Sequence, residues 1–162
     1  MRFAELKSND ATNGEGISVS FWTQGCPFRC KGCFNQETWN YWGGHIIDKQ
    51  ELIADILDKI PANGVMRNFS VLGGEPLGRN YFDTLDIIKA VRFNFPYIKI
   101  YVWTGFGFDK VIQNFVELLD YIDTIITEPF ILEQRDLMLE LRGSRNQEIW
   151  YKKNSLWFKK SE

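Results

Sequence analysis

The stretch GISVSFWTQGCPFRCKGCFN, residues 16–35, contains the two patterns that decide the fold. Apolar residues alternate with other residues over positions 17–22, which is the period-two pattern of a β-strand. Directly after it, Cys26, Cys30 and Cys33 stand in the spacing CxxxCxxC, and the chain has no other cysteine. The sequence therefore predicts a strand that runs into a cysteine-rich loop at its carboxyl end.

Strand and helix patterns take turns along most of the chain that follows this loop. The helices are predicted at residues 48–61, 80–95 and 108–120, and the strands at residues 68–74, 97–105 and 121–127. Such alternation is typical of an α/β fold whose strands are mostly parallel and are joined by right-handed crossovers.

The C-terminal third is less regular. It predicts a short helix near residues 137–141 and a strand pair that turns at Asn154 and Ser155. A closed barrel of eight strand–helix units takes roughly 250 residues, whereas this chain has 162. We therefore expect residues 1–162 to form one domain with an open, partial barrel or a short open sheet.

Four distinctive segments each follow a predicted strand. They are the cysteine loop and residues 73–76, 103–105 and 127–130. Because the carboxyl ends of parallel strands meet at one edge of a sheet, we expect these segments to line a single cleft.

Composition narrows the classes of partner and compartment. The formal net charge is −2, so the chain lacks the basic surface expected of a nucleic-acid-binding protein. The chain has no run of ~20 apolar residues, the length of a membrane span, and its first ten residues lack the apolar core of a signal peptide. We therefore expect a cytoplasmic protein whose reduced thiols bind a metal or act in redox chemistry.

Three thiolates are soft ligands that suit zinc, copper(I) or iron–sulfur clusters. A structural zinc site requires a fourth ligand, for which His45 is the sole histidine. A cluster of four irons usually takes four cysteines, so three cysteines leave one iron open to bind another molecule. The residues alone leave both interpretations open.

Beyond the cysteine loop, several segments resemble one known family. The chain is similar to the radical S-adenosylmethionine (SAM) enzymes, and more closely to the small glycyl-radical activases of anaerobic ribonucleotide reductase. The similar segments, in the family's order and spacing, are TQGCPFRCKGCFNQETW (residues 23–39), LGGEPL (72–77), VWTGF (102–106) and LRGSRNQ (141–147). The resemblance extends from Asn13 and Gly14 to Gln147.

The resemblance implies a partial barrel of the radical SAM type and a 4Fe-4S cluster held by the three cysteines, with SAM on the open iron. Gly73 and Gly74 permit a close backbone approach. Glu75 can accept a charge-assisted hydrogen bond from an ammonium group, which the resemblance implies is the methionyl amine of SAM. Without the cysteines, a Gly-Gly turn with a solvated glutamate would account for this segment equally well.

Three further residues are candidates for contacts with the cofactor. Asn35 is placed to hydrogen-bond a cluster sulfur or the cofactor, or else to cap the next segment. Thr104 lies where a predicted strand ends. Arg142 begins a donor-rich segment that suits a carboxylate, a ribose or a partner backbone, or that is satisfied within its own loop.

Two other stretches carry no assigned role. The family commonly has Asp-Gly where this chain has Thr127-Glu128, so the family's contacts at residues 127–130 are not carried over. The aromatic residues at positions 39–42 would suit a docking patch for a protein, a shield for the cluster or ordinary packing.

The resemblance also implies the reaction. Reductive cleavage of SAM would yield a 5′-deoxyadenosyl radical, which takes hydrogen from a glycine of the large subunit of anaerobic ribonucleotide reductase, with electrons from a reductant such as flavodoxin. Beyond the cluster ligands, no side chain is expected to act in catalysis. The alternatives are another glycyl-radical enzyme as partner, a small-molecule substrate as in the deazaguanine-forming enzymes, and a zinc-stabilised interaction module without catalysis.

Overall fold

The computed structural model describes residues 1–161. In chain order the strands are β1 (Arg2–Asp10), β2 (Ser18–Thr23), β3 (His45–Ile46), β4 (Asn68–Gly73), β5 (Ile100–Trp103), β6 (Thr124–Thr127), β7 (Glu148–Lys153) and β8 (Leu156–Lys159). The α-helices are α1 (Lys49–Lys59), α2 (Tyr81–Asn94) and α3 (Phe108–Asn114). Within residues 1–161, no helix combines the length and apolar character needed to cross a bilayer.

All eight strands belong to one open sheet in the order β3-β1-β2-β4-β5-β6-β7-β8. The four central strands, β2, β4, β5 and β6, are parallel neighbours, as the strand–helix alternation predicts. The outer pairings are antiparallel, so four of the seven pairings are antiparallel and only three are parallel. The expectation of an α/β fold with an open sheet is confirmed, but the prediction of mostly parallel strands is wrong.

The excess of antiparallel pairs has two sources. At the C-terminal side, β7 and β8 form a hairpin, and the short connection between them permits only antiparallel pairing. At the N-terminal side, β1 pairs with β2 through a register that shifts between Phe3 and Glu5 and again between Lys7 and Asp10. Burial in β1 alternates from Ala4 to Asp10, but the more buried positions include the polar residues Ser8 and Asp10, so β1 lacks the apolar alternation by which a strand is recognised.

The structure confirms two local predictions, the cap of α1 and the turn between β7 and β8, and contradicts a third. The side chain of Asp48 caps α1 by accepting hydrogen bonds from the backbone at positions 50 and 51. Asn154 and Ser155 both have positive φ, at 52° and 64°, which is the hairpin-turn geometry that joins β7 to β8. The predicted helix at residues 137–141 is wrong, since this segment forms turns and bends.

The two faces of the central sheet differ in character. One face packs its apolar side chains, including Val19, Phe21 and Val102, against the three helices. The pleat turns Ser70 and its neighbours to the other face, and residues 11–16 lie across it. There the Ser70 hydroxyl donates to the Asn13 carbonyl oxygen at 2.5 Å. The segment of residues 11–16 thus covers this polar face of the open sheet.

Candidate functional site

A cavity of about 370 Å³ lies at the carboxyl ends of the four central strands. Its volume is at the lower end of the ~300–1,000 Å³ range of small-molecule sites. All nine residues that the sequence predicts for the site contribute to its wall, namely Cys26, Cys30, Cys33, Asn35, Gly73, Gly74, Glu75, Thr104 and Arg142. The segments that follow the four central strands therefore meet in one cleft, as expected from parallel strands.

Hydrogen bonds tie the start of the cysteine loop, residues 24–26, to residues 37–40, which follow the loop. The backbone N–H of Gly25 donates to the carbonyl of Thr38 at 2.6 Å, and that of Cys26 donates to the carbonyl of Trp39 at 3.2 Å. The buried amide of Gln24 adds bonds to the carbonyls of Glu37 and Asn40, at 3.0 and 2.7 Å. These bonds fix the position from which the three thiols enter the cavity.

The thiols lie in a partly buried setting with backbone N–H groups nearby. Burial raises the pKa of Cys26, and the backbone N–H groups of Phe28 and Arg29 oppose this effect. Burial likewise raises the pKa of Cys30. The backbone N–H of Asn35 donates to the sulfur of Cys33 at 3.4 Å. Such N–H groups are the donors that stabilise ligated thiolate sulfur.

Glu75 is the most deeply buried charged group of the site. It is 2% exposed, and its carboxylate accepts hydrogen bonds from the backbone N–H of Leu77 at 2.9 Å, the hydroxyl of Thr104 at 2.7 Å and the backbone N–H of Gly105 at 2.7 Å. Burial raises the pKa of Glu75 to about 7, against the lowering effect of these three donors. The charged carboxylate therefore remains under-compensated and would be stabilised by a cation in the cavity.

Thr104 acts on this carboxylate as well as lining the cavity. Its hydroxyl donates to Glu75 and accepts from the backbone N–H of Phe106 at 3.1 Å. Thr104 thereby links the ends of β4 and β5. Its contact with Glu75 is one that the sequence did not predict.

Gly73 and Gly74 are needed for packing of backbone on backbone. Gly73 has a φ of 114°, and a Cβ there would lie 2.5 Å from the backbone nitrogen of Thr23. A Cβ on Gly74 would lie 2.5 Å from the carbonyl oxygen of Gly25. Any side chain at either glycine would push β4 away from the root of the cysteine loop.

The segment of residues 141–147 is largely tied to its own loop and to residues 128–130. The amide of Gln147 accepts from the backbone N–H groups of Gly143 and Ser144 and donates to the carbonyl of Glu128 at 3.1 Å. The guanidinium of Arg142 donates to the carbonyl of Gln147 at 3.1 Å and also borders the cavity. The polar groups of this loop therefore bond mainly to one another and to residue 128, which is one of the two interpretations that the sequence left open.

Glu128 stands where the family commonly has glycine, and its φ is 81°. A positive φ brings the β-carbon of a residue such as glutamate close to its own backbone, at a cost of ~1–3 kcal/mol. Glu128 therefore occupies a backbone position that a glycine would adopt without this cost.

Of the other residues considered in the sequence, His45 and Trp42 do not line the cavity, whereas Trp39 does. His45 lies on β3, where its ring is 5.4 Å from that of Phe3, and Trp42 lies beside the guanidinium of Arg79 at 5.4 Å. The lining residues without a predicted role include Leu139 and also Thr12 and Asn13, which belong to the segment on the polar face of the sheet.

Comparison with known proteins identifies the family of this chain. The family model of the 4Fe-4S single cluster domain matches residues 12–150. Among similar proteins, each named anaerobic ribonucleoside-triphosphate reductase-activating protein, that of Haemophilus influenzae is 35% identical over 92% of this chain and 97% of its own length. That of Enterobacteria phage T4 is 30% identical over 97% and 98%, and that of Escherichia coli K12 is 30% identical over 92% and 97%. The chain therefore belongs to the family of anaerobic ribonucleoside-triphosphate reductase-activating proteins.

Proposed function

We propose that this protein activates an anaerobic ribonucleotide reductase by reductive cleavage of SAM at a 4Fe-4S cluster, leaving a glycyl radical on the large subunit of that enzyme. The observation that carries the proposal is the convergence of three thiols and a buried carboxylate on one cavity. Three thiolates hold a cluster with one iron open, and the carboxylate suits the ammonium of an amino acid bound there.

The residues present fit both groups. Cys26, Cys30 and Cys33 would hold the cluster, which would supply the electron for cleavage when it is bound. Glu75 would orient the methionyl ammonium, and Thr104 would hold the Glu75 carboxylate in place. Burial of the Glu75 carboxylate strengthens its electrostatic contact with a bound ammonium.

The open sheet supports a partial barrel of the radical SAM type as the scaffold. Its four parallel central strands end at the cavity. The antiparallel strands β1, β7 and β8 would flank this half-barrel.

A polypeptide substrate agrees better with the structure than a small molecule does. Residues 11–16 cover the polar face of the sheet and leave the cavity at the carboxyl ends of the strands open to a docked segment. At the open side, Phe34 lines the cavity and is 60% exposed, and Leu137 and Met138 on a neighbouring loop are 77% and 91% exposed. Exposed apolar side chains beside a reaction site favour a protein that docks over it.

The zinc alternative has less support. Its fourth ligand would be His45, which lies on β3 against Phe3 and outside the wall that the three cysteines share.

The test is electron paramagnetic resonance of the anaerobically reconstituted and reduced protein, recorded before and after addition of SAM. We expect a reduced-cluster signal that changes shape when SAM is added, because SAM binds the open iron. Tightly held zinc, with no cluster signal after reconstitution, would reject the proposal.

Single replacement of each cysteine sharpens the same test. Cys26→Ala, Cys30→Ala and Cys33→Ala should each abolish formation of 5′-deoxyadenosine and methionine from SAM. Cleavage that persists in any of the three variants would refute the assignment of that cysteine as a ligand.

A further inference from the structure

The cavity has an inner wall that none of the predicted site residues forms. Thr12 and Asn13 line it, on the segment between β1 and β2. The Asn13 carbonyl oxygen accepts from Ser70, which lies three residues before Gly73 on β4. At about 3.3 Å per residue, this contact is roughly 10 Å from the carboxyl end of the strand. Asn13 therefore lies at the end of the cavity remote from the cysteine loop.

A buried carboxylate holds this segment in place. Asp10, 7% exposed, accepts at Oδ1 from the backbone N–H and the hydroxyl of Thr12, both at 2.8 Å, and from the backbone N–H of Asn13 at 3.3 Å. Its Oδ2 accepts from the side-chain Nδ2 of Asn13 at 2.7 Å. These bonds fix the backbone of Asn13 and the plane of its amide.

The orientation of the Asn13 amide follows from this partner, because only the NH2 arm can donate to a carboxylate. The Oδ1 arm must point the other way, and no residue among positions 1–161 donates a hydrogen bond to it. The backbone N–H and carbonyl of Asn13 are already engaged by Asp10 and Ser70. Oδ1 is thus an acceptor without a donor on a residue that lines the cavity.

We propose that Asn13 binds a hydrogen-bond donor of the nucleoside half of SAM, a ribose hydroxyl or the exocyclic amine, and that Asp10 is the positioning residue that aims its amide. This inference rests on the proposed function and adds a contact to the same site. The amino-acid half of SAM would lie at the opposite end of the cavity, with Glu75 and the cysteines. The nucleoside half is the part that remains to reach Asn13.

The test measures binding of three probes by anaerobic equilibrium dialysis with the cluster-reconstituted protein. The probes are SAM, 5′-deoxyadenosine and methionine. Asn13→Ala should weaken binding of SAM and of 5′-deoxyadenosine by about fivefold, the effect of one neutral hydrogen bond, and should leave methionine binding unchanged. Asp10→Asn should lower nucleoside affinity in the same direction, because the Asn13 amide loses its fixed orientation.

Asn68→Ala is the matched control. Asn68 ties the same segment through a bond of 2.9 Å from its side-chain amide to the Glu15 carbonyl, but it lies at the amino end of β4. Loosening the segment there should leave the binding of all three probes unchanged.

Several outcomes would overturn the inference. They are unchanged nucleoside binding in Asn13→Ala, an equal loss of methionine binding in that variant, or the same nucleoside loss in Asn68→Ala. Wild-type protein that binds none of the three probes would overturn the proposed function and this inference together. A wild-type protein that binds SAM beside an unaffected Asn13→Ala would overturn the inference alone.

Discussion

The ends of β1 and β4 each carry a buried carboxylate, and the two behave in opposite ways. Burial alone would raise the pKa of both. At Asp10 the hydrogen bonds from Asn13 and Thr12 outweigh burial, so its pKa lies well below the ordinary value. At Glu75 burial outweighs three donors, and the pKa rises to about 7. The comparison teaches that Asp10 is a completed structural anchor, whereas Glu75 is stabilised fully only when a cation binds beside it.

The largest expected effect is at Glu75. Glu75→Gln removes the charge that would pair with the methionyl ammonium, so we expect SAM affinity to fall about a hundredfold, as for removal of one partner of a buried charged pair. Equilibrium dialysis measures this loss. The absorbance of the cluster should stay, because Glu75 is not assigned as a ligand.

Glu133→Gln is the control for this variant, since Glu133 is an exposed carboxylate outside the cavity. Its affinity for SAM should equal that of the wild type. If Glu75→Gln instead loses the cluster, the comparison breaks, because Glu75 would then be part of the cluster's support.

The next effect is on stability and concerns Asp10. Asp10→Asn should lower the free energy of unfolding by about 2 kcal/mol at pH 7, because a carboxylate with a depressed pKa contributes stability in its ionised form. That contribution is present above the unfolded pKa near 3.8 and is lost as pH falls further through the folded pKa. Urea unfolding of both proteins at pH 7 and pH 3 should therefore show a smaller difference at pH 3.

Asp86→Asn is the matched aspartate for this measurement. Asp86 pairs with Lys49 at 2.6 Å on the surface and is 51% exposed, so its replacement should change stability by less than about 1 kcal/mol. A loss at Asp86 as large as the loss at Asp10 would contradict the anchor role.

A pH titration sharpens the comparison at Glu75. Its folded pKa of about 7 exceeds the ordinary 4.5, so the native protein holds a proton that the unfolded chain releases. This contribution to stability falls as pH rises from 4.5 to 7, by about 3 kcal/mol in total. Over the same range the Asp10 contribution stays constant.

The affinity for SAM should rise with pH, whereas the contribution of Glu75 to the free energy of unfolding falls with pH. The neutral carboxyl offers no charge to an ammonium, so affinity should fall up to about tenfold for each pH unit below 7. Glu75→Gln should bind SAM with no such dependence between pH 5.5 and 7. A wild-type profile that is equally flat would mean that Glu75 does not meet the cation.

The smallest effect concerns a third carboxylate, whose position is set by strain. Glu128→Gly should raise the free energy of unfolding by about 1 kcal/mol, because glycine adopts a positive φ without a steric cost. Thermal unfolding measures the gain. Glu128→Ala removes the same carboxylate but keeps the strained φ, so it should show no gain, and equal gains in both variants would assign the effect to the charge.

Prediction from sequence succeeded where local patterns set the outcome. The parallel centre of the sheet, the Asp48 cap and the turn at Asn154 and Ser155 follow from periodicity and turn chemistry. Eight of the nine site residues share one cavity because parallel strands bring their carboxyl ends together, and Arg142 joins them from the loop before β7. Their individual roles remain predictions that the variants above test.

What failed depends on contacts distant in sequence. Strand β1 was not predicted, because its more buried positions include the polar residues Ser8 and Asp10 and its place in the sheet depends on pairing with β2. Residues 137–141 have the apolar content of a helix but lie at the mouth of a cavity, where Leu137 and Met138 are largely exposed. Asn13 was noted only as the start of the family resemblance, since its place in the wall depends on Ser70, 57 positions along the chain.

The packing of Gly74 on Gly25 also has a consequence for biogenesis. The thiols emerge early from the ribosome, but the backbone of Glu75 must donate to the Gly25 carbonyl, at 2.9 Å, before the root of their loop is fixed. Glu128 and Arg142, which also line the cavity, are synthesised later still. Cluster delivery by the cell's assembly machinery is therefore expected after translation, on a nearly finished chain, which would limit the time that a half-built site could trap the wrong metal.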